Sequence, residues 1–149
     1  MVEQVTSRLQ LPLMAAGQAQ KEVTHNEALL LIDSLTVPTS EAPPQNQPPS
    51  APVAGQCWLV GAAPTGAWLG QAHALASWTS AGWRFAGLPL GAQVILAGTG
   101  ARWHRIPTGW QAPPVVSAAS GGAVIDSESR SAIAGIISAL IVAGVISSS

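Results

Sequence analysis

The sequence predicts an α+β protein in which a small, tryptophan-rich antiparallel β module lies between two helices. All six tryptophans fall within the stretch from Gly55 to Trp110, and Trp58, Trp68 and Trp78 recur ten residues apart. Short apolar runs in this stretch alternate with Gly, Pro, Thr and Ser, which is typical of short strands joined by tight turns. The stretch has only about 55 residues, and a domain of that size buries little surface and is marginally stable alone.

The composition points to a subunit of an assembly. Only 9% of the 149 residues are charged and the formal net charge is -1, whereas ordinary soluble domains have about 25% charged residues. Because a free monomer with so few charges would be poorly soluble, we expect an assembly that hides much of each subunit. Nucleic-acid binding is not expected, since no basic run is present to neutralise phosphates.

The β module, residues 55–112, is predicted to consist of six short strands. Gly82 is suited to the turn at 80–82, because glycine adopts positive φ without strain. The predicted strands are 56–60, 67–69, 73–79, 83–86, 93–97 and 102–106.

Residues 1–37 are predicted to be an attachment segment that ends in a helix. Thr24 and Glu27 have the spacing of a capping box, in which each side chain accepts the other residue's backbone N–H. A helix from about His25 to Leu35 should follow. Its apolar face, by the spacing of three and four residues, is Ala28, Leu29, Ile32 and Leu35.

Two stretches read as linkers. Residues 38–54 contain six prolines, which lack the backbone N–H that helices and central strands need. We therefore expect a semi-rigid, extended spacer there. Residues 113–125 are rich in Pro, Ser and Gly and are expected to form a second linker before the C-terminal segment, 126–149.

The C-terminal segment is predicted to form an apolar helix. Asp126 or Ser127 can cap its start, Gly144 is suited to the position after its end, and no charge follows Arg130. This second predicted helix, within 126–149, is called α2. Five aliphatic residues lie along one side of it and are named here the α2 stripe: Ile133, Ile136, Ile137, Leu140 and Ile141.

Three environments could bury the α2 stripe: the core of an oligomer, the core of the same chain, or a membrane. The run from Ala132 to Ile146 has about 15 residues, which is short of the roughly 20 that span a bilayer. The oligomer core is favoured over the other two. Isoleucine at both seam positions favours three or more helices over two, so a trimer is expected.

Catalytic chemistry is not expected. The three histidines, His25, His73 and His104, show no metal-ligand spacing. His73 and His104 lie at predicted strand positions, and the single cysteine, Cys57, is expected to be a buried filler on a strand. All seven acidic residues lie outside the tryptophan-rich stretch, so this module has no carboxylate pair of the kind that glycosidases use. We predict no enzyme activity, no metal and no cofactor.

The tryptophans permit two interpretations. Indoles fill the core of a small β module, and they also stack on sugar rings when they are exposed. Trp58 and Trp103 are expected in the core. Three others are candidates for stacking on a glycan because they lie near a hairpin tip or between glycines: Trp68, Trp78 and Trp83.

Three stretches together resemble one family. They are Ser7 to Leu29, which contains QKEVTHNEAL, Cys57 to Trp68, and Ala76 to Phe85. They are similar to the phage and gene-transfer-agent fibre and head-spike family known as domain of unknown function 2793, over roughly residues 7–110. The run from Asp126 to Arg130 and the apolar helix after it resemble the C-terminal trimerising tails of tail fibres.

The resemblance implies a structural protein of a virion, either a head spike or tail fibre subunit or its base. It implies localisation to a phage or phage-like particle that is assembled in the bacterial cytoplasm. The expected partners are copies of the same chain, other virion proteins such as capsid, spike or fibre, and bacterial surface polysaccharide. The alternative is a carbohydrate-binding module that acts through exposed tryptophans.

Overall fold

The computed structural model describes residues 4–122 and 126–147. Within them the chain forms two α-helices, one 3-10 helix and seven strands, which confirms the α+β class. The helices are α1 (Lys21–Leu35), the 3-10 helix (Gly66–Trp68) and α2 (Ser127–Val142). The strands are β1 (Thr39–Ser40), β2 (Cys57–Leu59), β3 (Leu75–Thr79), β4 (Gly82–Ala86), β5 (Gln93–Leu96), β6 (Arg102–Ile106) and β7 (Gly109–Gln111).

The strands form two sheets. Strands β2, β3 and β4 form an antiparallel sheet in that order, and the second sheet has the order β1-β5-β6-β7, with β1 parallel to β5. Successive side chains of a strand point to opposite faces, so β2 contributes to two cores. Cys57 and Leu59 pack with Val94 of β5 on one face, whereas Trp58 packs with Trp68 and Ala76 on the other.

The strand predictions were correct for β2 to β6 to within two residues. The predicted strand at 67–69 is wrong, because Gly66–Trp68 form a 3-10 turn in which Trp68 N–H donates to the Thr65 carbonyl at 3.2 Å. Strands β1 and β7 were not predicted. Each has only two or three residues, which are too few to show an alternation of apolar and polar side chains.

The proline-rich stretch 38–54 is not an extended spacer, and that prediction is wrong. Strand β1 lies in this stretch and pairs with β5, while Glu41 N–H donates to the Cys57 carbonyl at 2.9 Å and Gln45 N–H to the Leu59 carbonyl at 3.1 Å. The non-proline residues supply the donors that the prolines lack. The stretch therefore lies along both sheets and joins them.

Helix α1 begins at Lys21, one turn before the predicted start, so the capping-box prediction at Thr24 is wrong. The Glu22 carboxylate accepts the backbone N–H of Gly17 at 3.3 Å and of Gln18 at 3.1 Å. These hydrogen bonds hold the turn that precedes the helix. A carboxylate in the first turn also interacts favourably with the positive end of the helix dipole.

The inner face of α1 differs from the predicted apolar face. Glu27 forms an ion pair with Arg84 of β4 at 2.6 Å, and Leu31 packs against the core between the sheets. Ile32 and Leu35, which were expected to face inward, are exposed. The helix is held in this orientation by its polar contacts with the β module and the N-terminal segment and by the packing of Leu31.

The N-terminal segment folds onto α1 through one buried carboxylate. Asp33 accepts the Thr6 hydroxyl at 2.8 Å and the backbone N–H groups of Arg8 at 3.0 Å and Leu9 at 2.6 Å. The Arg8 guanidinium in turn donates to the carbonyls of Ser34 at 3.0 Å and Val37 at 2.7 Å. Asp33 thus joins the beginning of the chain to the end of the helix.

Helix α2 has the predicted ends. Asp126 accepts the Ser129 backbone N–H at 2.9 Å, which confirms it as the cap. Hydrogen bonds from Ser129 lower the pKa of this carboxyl. Gly144 follows the helix with a φ of 70°, a left-handed conformation in which glycine is unstrained.

The carboxyl end of α2 is joined to the β module, whereas the rest of the helix is not. Arg102 of β6 donates its backbone N–H to the Gly144 carbonyl at 3.0 Å and its Nε–H to the Ala143 carbonyl at 2.9 Å. The buried Ile146 and the hydrogen bond from Ser147 N–H to the Pro114 carbonyl, at 2.9 Å, complete this joint.

The predicted second linker, 113–125, is described only as far as Gly122. Most of that part is exposed, and the last three residues of the linker lie outside the described residues. Neither helix in the described ranges has the length and apolar character that a bilayer-spanning helix needs.

Candidate functional site

The outer face of the β2-β3-β4 sheet carries a cluster of five aromatic side chains, named here the indole cluster. Its strand members share one face because Trp58 pairs with Ala76, Ala76 with Phe85, and Trp78 with Trp83. The 3-10 turn adds an indole from outside the sheet. The members are Trp58, Trp68, Trp78, Trp83 and Phe85.

Trp83 is the centre of the indole cluster. Its ring centroid lies 5.5 Å from that of Trp58, 5.2 Å from that of Trp68 and 4.9 Å from that of Trp78, each in an edge-to-face arrangement. It also lies 6.5 Å from the Phe85 ring at an interplanar angle of 26°. Edge-to-face aromatic pairs add about 0.5–1.5 kcal/mol beyond their buried area, so the cluster stiffens this face.

The three glycan-stacking candidates do not have equal access to solvent. Trp68 is 0% exposed, so its candidacy is wrong in this conformation: the tight turn at Gly66 places its indole inside the cluster. Trp78 and Trp83 are half-buried neighbours on adjacent strands. They leave a partly accessible aromatic edge, which we call the Trp78–Trp83 edge. The prediction that Trp58 lies in the core is confirmed.

The α2 stripe is largely exposed within the single chain. Ile133 is 43%, Ile136 60% and Leu140 37% exposed, and no residue of α2 is buried. Ile137 is half-buried. Ile141 is also half-buried, and it lines an apolar cavity of about 270 Å³ with Leu96, Trp103 and Ile146. One end of the stripe thus meets the β module, whereas Ile133, Ile136 and Leu140 are exposed in the single chain.

One site was missed by the sequence reasoning. His73, predicted to be an ordinary strand residue, precedes β3 and has a φ of 64°. It lies beside Gly109 and Trp110 of β7 in a cleft. Positive φ is uncommon for residues other than glycine, and the residues around His73 gave no indication of it. His104 lies in β6, as predicted.

The remaining chemistry-bearing residues are not grouped. Cys57 is buried, which confirms its expected place, and burial raises the pKa of its thiol because desolvation disfavours the thiolate. Its Sγ lies 3.5 Å from the Ser77 hydroxyl. Among the residues that the structure describes, no group of three or more His, Cys, Asp or Glu side chains could hold a metal ion.

Comparison with known proteins gives one family. The model of the family described as "Protein of unknown function (DUF2793)" matches residues 25–111, which include most of α1, both sheets and the whole indole cluster. No curated protein and no solved structure matches the chain.

Proposed function

This chain belongs to the DUF2793 family, and we propose that it is a structural component of a tailed-phage-like particle. It would be a head spike or tail fibre subunit, or the base that carries one. The motivation is the resemblance of three sequence stretches, read from their residues alone, to a phage and gene-transfer-agent fibre and spike family. Its partners would be other copies of the chain and other virion proteins.

The exposed α2 stripe is the observation that carries the proposal. A helix with isoleucine and leucine along one side is stable in water only when that side is covered. Within one chain, little of that side of α2 is covered. Ile133, Ile136 and Leu140 would be covered by the same residues of two further copies. Isoleucine at successive seam positions favours three helices or more, which supports a trimer.

The joint at the end of α2 suits such an arrangement. Arg102 holds the carbonyls of Ala143 and Gly144, so each β module would be carried at a defined position beside a helical core. A Cβ on Gly144 would overlap the Gly100 carbonyl oxygen. The close approach of helix end and hairpin therefore depends on glycine at this position.

We expect Ile136→Glu to dissociate the oligomer into monomers. The substitution places a charge in the centre of the α2 stripe, where burial of an unpaired carboxylate is strongly unfavourable. The matched control is Val142→Glu, because Val142 is also aliphatic and is 90% exposed, on the opposite side of the same helix. Native mass spectrometry of the full chain would measure the subunit number of each protein.

The unsubstituted chain and Val142→Glu should both give trimers, and Ile136→Glu monomers. A monomeric unsubstituted chain at concentrations of roughly 10 μM, well above the Kd of a stable assembly interface, would contradict the proposed role. So would an unchanged subunit number after Ile136→Glu.

A carbohydrate-binding module is the second candidate function, favoured by the Trp78–Trp83 edge. The two indoles are half-buried neighbours whose centroids lie 4.9 Å apart, and rigid aromatic surfaces of this kind stack on the apolar faces of sugar rings. The two functions are compatible, because a spike that grips bacterial surface polysaccharide would need both an oligomer core and a glycan site.

If the edge binds glycan, Trp78→Ala should remove binding to surface polysaccharides on a glycan array. Among the ring pairs of the cluster, Trp78 contacts only Trp83, so its loss should leave most of the cluster in place. Leu90→Ala, which truncates an exposed aliphatic side chain outside the cluster, is the control and should keep full binding. If the unsubstituted chain gave no signal on the array, the carbohydrate-binding function would be excluded and only the architectural role would remain.

A further inference from the structure

The outer edge of strand β4 has no neighbouring strand among the described residues. Strand β4 is the last of the β2-β3-β4 sheet, and no other described helix or strand runs alongside it. It has five residues, Gly82–Ala86, and pairs with β3 residue for residue without a bulge. A regular edge strand with open backbone groups is a template for the addition of a further strand.

The register of the sheet shows which backbone groups of β4 point outward. The backbone N–H of Trp78 in β3 donates to the β2 side of the sheet, at 2.9 Å. Because the backbone groups of successive residues alternate between the two neighbouring strands, Ser77 bonds to Arg84, its partner in β4. The backbone N–H groups of Trp83 and Phe85 therefore point away from β3. No hydrogen bond among the described residues uses either of them.

The other outer edges of the described sheets are protected, in contrast to that of β4. The backbone N–H groups of Glu41 and Gln45 pair with the outer edge of β2. Strand β7 has only three residues and is followed by Pro113, and both short length and proline protect an edge from pairing. Strand β4 has no proline and no lysine, and its one charged residue, Arg84, forms an ion pair with Glu27.

The spacing and the two faces of β4 indicate what would cover this edge. Two outward N–H groups in one strand lie about 6.8 Å apart, which matches the spacing of the carbonyl acceptors in another strand. The side chains of Trp83 and Phe85 belong to the indole cluster on one face, whereas Arg84 forms its ion pair on the other. An added strand would therefore place apolar side chains beside the aromatic rings and polar side chains beside the ion pair.

We propose that β4 accepts an extended segment of another protein, with alternating apolar and uncharged polar residues, as a fourth strand of this sheet. A second copy of β4 is a less suitable partner. A two-fold pairing that uses both donors of each copy would put Arg84 opposite Arg84, and like charges directly opposite each other are destabilising. In the proposed particle the partner would be another virion protein, but the inference depends neither on that role nor on oligomerisation through α2.

Amide hydrogen exchange of the isotope-labelled full chain measures whether the edge is open. We expect fast exchange at Trp83 and Phe85, and slow exchange at Arg84 and Ala86, which pair with β3. Slow exchange at Trp83 and Phe85 in both the unsubstituted chain and Ile136→Glu would overturn the inference, because the chain would cover its own edge. Slow exchange in the unsubstituted chain alone would also overturn it, because a neighbouring copy would then be the partner.

Peptide binding measures whether the edge accepts a strand. The probe is the end-blocked peptide Lys-Val-Thr-Val-Thr-Val-Lys, in which the lysines give solubility. The control peptide has proline in place of the central valine, and proline cannot complete a hydrogen-bonded ladder. We expect a saturable downfield shift of the Trp83 and Phe85 backbone N–H resonances as the probe is added to roughly 2 mM, a concentration that reveals even a millimolar Kd. The control peptide should give no such shift.

Phe85→Pro and Phe85→Val form a matched pair of variants. Both remove the phenyl ring, but only proline removes the outward N–H, and proline is tolerated in an edge strand where the N–H faces solvent. We expect Phe85→Pro to bind the probe at least about tenfold more weakly than Phe85→Val, because the ladder loses a hydrogen bond and the proline ring blocks the approach of a strand. Slow exchange at Arg84 in both variants would show that β4 is still paired with β3.

Three results with the peptides would overturn the inference. The first is the absence of a saturable shift at Trp83 and Phe85 with the probe. The second is equal binding of the probe and the proline-containing control peptide to the unsubstituted chain, which does not depend on the folding of any variant. The third is equal affinity of Phe85→Pro and Phe85→Val for the probe. None of these results would bear on whether α2 forms a trimer, which the subunit number measures separately.

Discussion

Trp68→Ala is expected to destabilise the protein by about 3 to 5 kcal/mol, the typical cost of truncating a large buried aromatic residue to alanine. Its indole is completely buried and lies edge-to-face with Trp83 at a centroid distance of 5.2 Å. Truncation would leave a cavity next to the centre of the indole cluster. Urea unfolding followed by circular dichroism would measure the loss in the free energy of unfolding.

Leu69→Ala is the matched control for this prediction, because Leu69 is adjacent in sequence and highly exposed. We expect it to change the free energy of unfolding by less than about 0.5 kcal/mol, as surface substitutions usually do. If both substitutions had similarly small effects, Trp68 would not be a core residue. Its candidacy for glycan stacking would then be open again.

Asp33→Ala is expected to release the N-terminal segment from helix α1 and to cost about 3 kcal/mol or more. Hydrogen bonds to a charged group contribute roughly 1.5–3 kcal/mol each, and donors left buried without a partner add a further penalty. The carboxylate accepts three such bonds, from Thr6, Arg8 and Leu9. Hydrogen exchange of the backbone N–H groups of Arg8 and Leu9 would report the release directly.

Two variants define the origin of that effect. Asp33→Asn keeps the shape and one acceptor oxygen, so its loss should be smaller than that of Asp33→Ala. Glu41→Ala removes an exposed carboxylate and should leave exchange at Arg8 and Leu9 unchanged. Retained protection of both groups in Asp33→Ala would show that Asp33 does not hold the segment.

The N-terminal block that carries the family resemblance has a structural explanation that its sequence did not reveal. Glu22 secures the entry turn of α1, and Glu27 pairs with Arg84 of β4. Asn26 exchanges hydrogen bonds with the backbone of Met14 at 2.9 and 3.0 Å. Three polar residues of QKEVTHNEAL thus have separate partners, which explains why the capping-box interpretation of the same residues was wrong.

The candidate sites were predictable to different degrees. The α2 stripe could be read from the spacing of its isoleucines, whereas its burial in an oligomer stays a prediction. Trp78 and Trp83 were found from their place beside a hairpin turn. The cleft of His73 and Trp110 could not be found in this way, because these two lining residues are more than thirty residues apart in the sequence.

The sequence alone determined the features that depend on neighbours along the chain. Apolar runs between glycines marked strands β2 to β6, and Asp126 and Gly144 marked the ends of α2. Only the tertiary structure decided which face of α1 turns inward, that residues 38–54 join the sheets, and that Trp68 is buried. The physical reason is that these features are set by contacts between distant segments, such as the pair of Glu27 and Arg84, which lie 57 residues apart. A local pattern of hydrophobicity or proline carries no information about which distant donor or carboxylate a segment will meet.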